Sequence, residues 1–285
     1  MSVRLWGAVG VLLTVATAAC STAAATEPQV SVPPPGVEAR ELSIPFDRYN
    51  FSASDISILD RAEELLIGDC MRQRGMAWAE LPPSAAEDLE PQNRRRYGVV
   101  EPEIARLFGY HTPPDRPTVA QRAAARDSRA RSLSATEQRA ASAEKDGCLG
   151  QARAHLEQGT PQVDEALFNR LISETFNQSQ RDPKVVQVFQ AWSTCMREQG
   201  WQYAAPLAAI TDERWMKDGP ASPEEIRAAQ ADVRCKVKTG LVAIWSAAEK
   251  RIQDAAVSAH PAEFKALQAT KDQQLAAARA ALARG

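Results

Sequence analysis

Along most of this chain, apolar residues recur at the three-and-four spacing of an amphipathic helix, and strand-like alternation is scarce. The clearest stripe is Val185, Val188, Phe189, Trp192, Cys195 and Met196, all on one helical face. An earlier stripe runs through Leu59, Ala62, Leu66 and Cys70. Both stripes end on the same phrase. Cys70-Met71-Arg72-Gln73-Arg74-Gly75-Met76-Ala77-Trp78 matches Cys195-Met196-Arg197-Glu198-Gln199-Gly200-Trp201-Gln202-Tyr203. A glycine at this point ends a helix in the left-handed conformation, and the next residue packs back on the last turn. Met71 with Met76, and Met196 with Trp201, supply the apolar pairs that this stop needs.

Two serine-led helix starts follow the two phrases. Ser134 with Glu137, and Ser222 with Glu225, read as capping boxes, the second reinforced by Pro223. Cys148 lies 14 residues after the first cap and Cys235 lies 13 after the second. The pattern predicts a mainly α, disulfide-stapled domain over 42–285 in two loosely duplicated halves, about 42–160 and 161–285. Pro161, Pro183 and Pro206 mark helix boundaries. Long helices close the chain: Ser222 to about Ser258 reads as one helix carrying Ile226, Val233, Val237, Leu241, Ile244 and Trp245. After His260-Pro261 a last, alanine-rich helix runs to about Leu282. Leu42 to Phe51 and Met76 to Leu81 are candidates for short extended pieces. An inserted stretch, 84–118, has no periodicity but turns at Tyr97-Gly98 and from Gly109 to Pro114.

The N-terminus departs from this pattern. Arg4 precedes an apolar or small run from Leu5 to Thr17, and Ala18-Ala19-Cys20 follows, the layout of a secretory signal over residues 1–19. The run of about 15 residues falls short of the roughly 20 that span a bilayer. A cysteine directly after two alanines resembles the lipobox of bacterial lipoproteins, which implies cleavage before Cys20 and lipid on its thiol. Residues 20–41, rich in Ala, Thr and Pro, read as a flexible tether. At about 3.3 Å per residue it would lift a domain some 60–70 Å from the membrane.

Composition narrows the function. The 34 basic and 36 acidic residues give a net charge of −2, and removing residues 1–19 takes away only Arg4. That leaves no overall basic footprint for nucleic acid. Arg94-Arg95-Arg96 reads as a solvated face. Four cysteines remain besides Cys20, an even number in an exported chain, which favours disulfides. None has the Cys-x-x-Cys spacing of a metal or redox site. The duplicated layout selects Cys70–Cys148 with Cys195–Cys235.

Catalytic signals are thin. His111, His155 and His260 are scattered without metal-ligand spacing, and no nucleophile elbow or phosphate-cradling loop is present. No cofactor or metal is implied. The insertion gathers Tyr97, Phe108, Tyr110 and His111 among glycines and prolines. Loops on a rigid scaffold concentrate binding residues, and aromatic rings with a polar tip suit sugars or protein surfaces. Tyr97, Tyr110 and His111 are therefore the candidate ligand-binding residues. The alternative is that these aromatics plug the seam between the halves.

The lipobox cysteine, the paired Cys-Met-Arg-x-x-Gly helix ends, Arg96-Tyr97-Gly98-Val99, Gly109-Tyr110-His111 and Cys235-Lys236-x-x-Thr239-Gly240-Leu241-Val242 together resemble a set of secreted actinomycete lipoproteins. The resemblance covers roughly residues 42–280. It implies location and helical build, and lends no activity. The reading is thus an extracytoplasmic, lipid-anchored binding or structural module of the cell envelope, with an envelope protein or cell-wall glycan as partner. An envelope hydrolase, or an accessory or sensor subunit of a membrane complex, are the alternatives.

Overall fold

Proline opens six of the α-helices, where a missing backbone N–H leaves no bond unmade. The computed structural model describes residues 31–284, and no strand occurs among them. The first part comprises α1 (Val37–Arg40), α2 (Ala53–Gln73), α3 (Pro102–Phe108), α4 (Pro117–Ser132), α5 (Ala135–Ser142) and α6 (Cys148–Glu157). The second comprises α7 (Glu165–Ser179), α8 (Pro183–Glu198), α9 (Pro206–Ile210), α10 (Pro223–Thr239), α11 (Leu241–Ala259) and α12 (Pro261–Leu282). No described helix is long and apolar enough to cross a membrane.

Both glycine stops form as the sequence requires. Met76 N–H donates to the Met71 carbonyl at 3.0 Å and Gly75 N–H to that of Arg72 at 2.9 Å, with Gly75 at φ +72°. At the end of α8, Trp201 N–H reaches the Met196 carbonyl at 2.9 Å and Gly200 N–H that of Arg197 at 3.0 Å. One residue before each pair, a cysteine makes a disulfide. Cys70 joins Cys148 and Cys195 joins Cys235, with Cα separations of 5.6 and 5.7 Å. The partner helices differ, however. Cys235 lies inside α10, whereas α5 stops at Ser142 and Cys148 starts α6 after Asp146 turns to φ +61°. The helix capped by Ser134 therefore does not carry its cysteine.

Packing interleaves the two sides of residue 160. The alanine-rich α12 returns to lie on α2 and α6, where Ala62, Leu156, Ala278 and Ala281 close the contact. The small side chains let the helix axes approach. Helix α3, from the insertion, packs on α10. The largest core joins α8, α10 and α11 around the fully buried Trp192 and Trp245. Phe46, Phe168, Leu171 and Phe264 form a smaller aromatic cluster.

Three expectations are corrected. The helix expected from Ser222 to Ser258 breaks at Gly240, which takes the left-handed conformation (φ +65°, ψ +24°) and starts α11 in a new direction. Val237, expected on the core face, is 72% exposed, because α10 buries the face that carries Glu225, Ala229, Asp232 and Lys236. Leu42 to Phe51 contains a 3-10 turn, Pro45–Arg48, and Met76 to Leu81 is irregular. The last part of the expected tether, from Pro35 on, belongs to the fold instead. Ala39 is fully buried, and Gly36 N–H donates to the Glu101 carboxylate at 2.7 Å. The rest of the tether, Cys20 and the signal over 1–19 lie outside the described residues.

Candidate functional site

Three consecutive arginines occupy a run of turns, so their side chains leave in different directions and each meets its own acceptor. Arg94, 4% exposed, forms ion pairs with Glu101 and Glu90. Arg95 donates to the carbonyls of Tyr110 at 2.6 Å and His111 at 3.2 Å. Arg96 binds the fully buried Glu249 of α11 through Nε at 2.9 Å, and its guanidinium also lies over the Phe176 ring. The expected solvated face is thus a set of anchors that fixes the insertion to the helices. The loop's turns aim each guanidinium at a buried acceptor, and a buried charge persists only when paired.

Tyr97 is fully buried against Trp245, with its hydroxyl donating to Glu249 at 2.8 Å. Burial and then the Glu249 charge push its pKa upward. Tyr110 is 4% exposed, near Trp215 and the α10 pair Asp232–Lys236. Its hydroxyl is buried with no hydrogen-bond partner among the described residues. Asp232 accepts from Trp192 Nε1 at 2.9 Å and from Lys236 Nζ at 2.8 Å, and Nζ also donates to the Val99 carbonyl. Burial drives Asp232 up and Lys236 down, toward neutrality, while their contact opposes both shifts.

His111 is the most accessible of the three candidates, its side chain 26% exposed. Glu225, on the first turn of α10, accepts from the N–H groups of Tyr110 and His111 at 2.8 and 3.2 Å and from His111 Nδ1 at 2.7 Å. The backbone approach depends on Gly109, at φ +57°: a Cβ there would lie 2.7 Å from the Glu225 Oε1. Ser222 still caps α10 through the Glu225 N–H at 3.1 Å, but the reciprocal half of the expected capping box is missing. The carboxylate points at the insertion instead. The Ser134–Glu137 box, by contrast, closes in both directions.

The other ring nitrogen of His111, Nε2, meets the Lys217 carbonyl at 3.0 Å. Both partners can accept, so the geometry suits a protonated ring that donates from both nitrogens. The Lys217 carbonyl first, and Glu225 second, hold its pKa above the ordinary 6.5. A general base needs a free ring nitrogen, and here neither is free. A carboxylate stands beside His111, yet the geometry is that of a clamp between the insertion, the Lys217 loop and α10.

No protein-family model matches the chain, and no curated protein or solved structure is significantly similar to it.

The structure therefore gathers Tyr97, Tyr110 and His111 along the α10–α11 seam, with the two tyrosine rings inside the core and only the imidazole at the surface. Cys70, Cys148, Cys195 and Cys235 are the four disulfide partners, and Cys20 is outside the described residues. No group of three or more potential metal ligands occurs among the described residues. Sequence reasoning missed the roles of Glu225 and Glu249, the acids that receive the insertion, and the buried Asp232–Lys236 pair, whose ammonium donates to the Val99 carbonyl.

The His111 clamp has a pH signature. Its folded pKa is raised, so its contribution to stability is fully present below about 6.5 and fades as pH rises through the folded value. Melting temperatures of wild type and His111→Gln, measured from pH 5.5 to 9, should differ most at the acid end and converge at the alkaline end. A gap that widens with pH would show that the neutral imidazole is the bound form.

Proposed function

We propose that the chain is an extracytoplasmic, lipid-anchored binding module of a bacterial envelope, tethered through Cys20 and without catalytic chemistry at the insertion. The observation that carries this reading is the use of the cysteines. All four after Cys20 are joined in two bridges within the helical unit, which suits an oxidising compartment. That leaves Cys20, directly after Ala18-Ala19, as the one cysteine reserved for lipid. The resemblance to secreted actinomycete lipoproteins points the same way. Two acyl chains on one cysteine suffice for stable anchoring.

The segment packed from Pro35 onward shortens the spacer. Fifteen residue steps separate Cys20 from Pro35, roughly 50 Å at full extension. A partner is then an envelope protein or glycan close to the membrane surface. The occupied nitrogens of His111 favour binding over hydrolysis.

Fractionation of the native host tests the reading. Wild type should sediment with membranes and leave them only in detergent, while Cys20→Ala should be released or accumulate as uncleaved precursor. A Cys20→Ala protein that is processed and membrane-bound like wild type would overturn it.

A further inference from the structure

Away from the seam, a cleft of about 340 Å³ opens between α2 and the segment after its glycine stop. That volume is near the lower end of small-ligand pockets, roughly 300–1,000 Å³. Gly68 forms part of its lining. A Cβ there would stand 3.2 Å from Trp78 Cδ1 and 3.1 Å from Arg72 Nη1, so the bare glycine leaves the space open.

Trp78, half-buried, lines the cleft and is held from two sides. Its Nε1 donates to Glu64 at 3.3 Å, and the Arg129 guanidinium lies 3.9 Å over the ring. Arg129 and Glu64 are themselves paired at 2.7 Å. The ring is thus positioned before any ligand arrives, which lowers the ordering cost of binding.

The corresponding position after the second stop shows what the plain structural version looks like. Tyr203 stands three residues after Gly200, as Trp78 stands three after Gly75. Its hydroxyl is held by an arginine–carboxylate pair too, donating to Asp212 at 2.8 Å and accepting from Arg214 at 2.8 Å. Tyr203 is only 9% exposed, closed into the main core. In the first position the aromatic has the same kind of support but faces an open cleft.

The polar lining decides the ligand class. Arg122 is committed to Asp60, Arg72 to Asp69 and Glu64 to Arg129. Arg61 and Glu80, both exposed, have no side-chain partner among the described residues, and their charges are opposite. The free groups thus offer donors and acceptors whose charges cancel, beside an indole ring, and so give no preference to phosphates and other anions. From this juxtaposition we infer that the Trp78 cleft is a carbohydrate subsite for a neutral sugar, whose C–H face lies on the indole and whose hydroxyls are read by Arg61 and Glu80. The assignment stands whether or not the chain carries lipid.

The test uses the purified full chain in detergent micelles and a panel of neutral oligosaccharides of gluco, manno, galacto, arabino and N-acetylglucosamine types. The indole N–H resonance of Trp78, assigned with Trp78→Phe, reports occupancy. At least one sugar should shift that resonance at millimolar concentration. Arg61→Ala and Glu80→Ala should each weaken it roughly tenfold, the loss of one hydrogen bond to a charged group. Gly68→Leu should abolish the shift with both disulfides intact, at a cost in melting temperature because the position is buried. No response to any sugar, or a response that survives Gly68→Leu, overturns the assignment. A shift given only by zwitterionic peptides would make the cleft a peptide site and overturn it equally.

Discussion

Replacing Glu249 by alanine should lower the unfolding free energy by about 3–5 kcal/mol, the cost of leaving one partner of a buried ion pair uncompensated. Glu249 is fully buried and receives Arg96, the Tyr97 hydroxyl and the Gln253 amide. Without it a guanidinium and a phenol lose their acceptor at the place where the insertion meets α11. Against a domain stability of about 5–15 kcal/mol, the loss takes a large share. Glu249→Gln keeps an acceptor for the phenol and removes the charge, so it should fall between wild type and alanine. Urea denaturation of the three proteins checks this order. A loss under about 1 kcal/mol for alanine would mean that Arg96, 17% exposed, finds water instead.

Removing the disulfides should be comparably damaging, and the order of the two is informative. The chain-entropy relation gives about 4.5 kcal/mol for Cys70–Cys148, which closes 78 residues, and about 4 kcal/mol for Cys195–Cys235, which closes 40. Burial reverses that ranking. Cys235 is fully buried and Cys195 6% exposed within the main core, whereas the fully buried Cys148 lies in a smaller cluster and its partner Cys70 is only half-buried. Changing both members of the second bridge to alanine therefore also opens a cavity beside Trp192, and such cavities add to the loss. The Cys195→Ala/Cys235→Ala protein should show the lower denaturation midpoint. If the Cys70→Ala/Cys148→Ala protein is the less stable, loop entropy alone governs both bridges.

Local patterns carried the helices and the bridges well. The stripe from Val185 to Met196 is buried throughout, both glycine stops close as expected, and the paired cysteines join within their own halves. What the sequence obscured was long-range and polar. A run of three arginines looks like a solvated face unless the acceptors are known, and those acceptors come from Glu101 at the start of α3, the Tyr110–His111 turn and α11. A signal for one of them was present. Glu249 falls four residues after Trp245 and eight after Leu241, on the apolar stripe of its helix, where an unpaired acid would be costly. Asp232 and Lys236 likewise sit beside Val233 and Cys235 on the buried side of α10. Glu225 was hidden by a plausible local role: Ser222-Pro223-Glu224-Glu225 satisfies the capping pattern, and only the placement of Gly109 shows where the carboxylate goes.

The break at Gly240 has a similar lesson. Apolar spacing runs from α10 into α11 closely enough to suggest one helix, but a single left-handed residue, Gly240, ends the first and starts the second. The repeated phrase shared by Cys70 to Trp78 and Cys195 to Tyr203 gave both stops correctly, yet not the partner helices, which differ in where they begin relative to the cysteine.

The central claim, an exported module held by lipid at its first cysteine, is tested most directly by the intact mass of the protein extracted from membranes of its native host. The expected species lacks residues 1–19, begins at an acylated Cys20, and is four hydrogens lighter than the reduced chain because of its two bridges. An unmodified full-length precursor, or a mature chain with four free thiols, would contradict it.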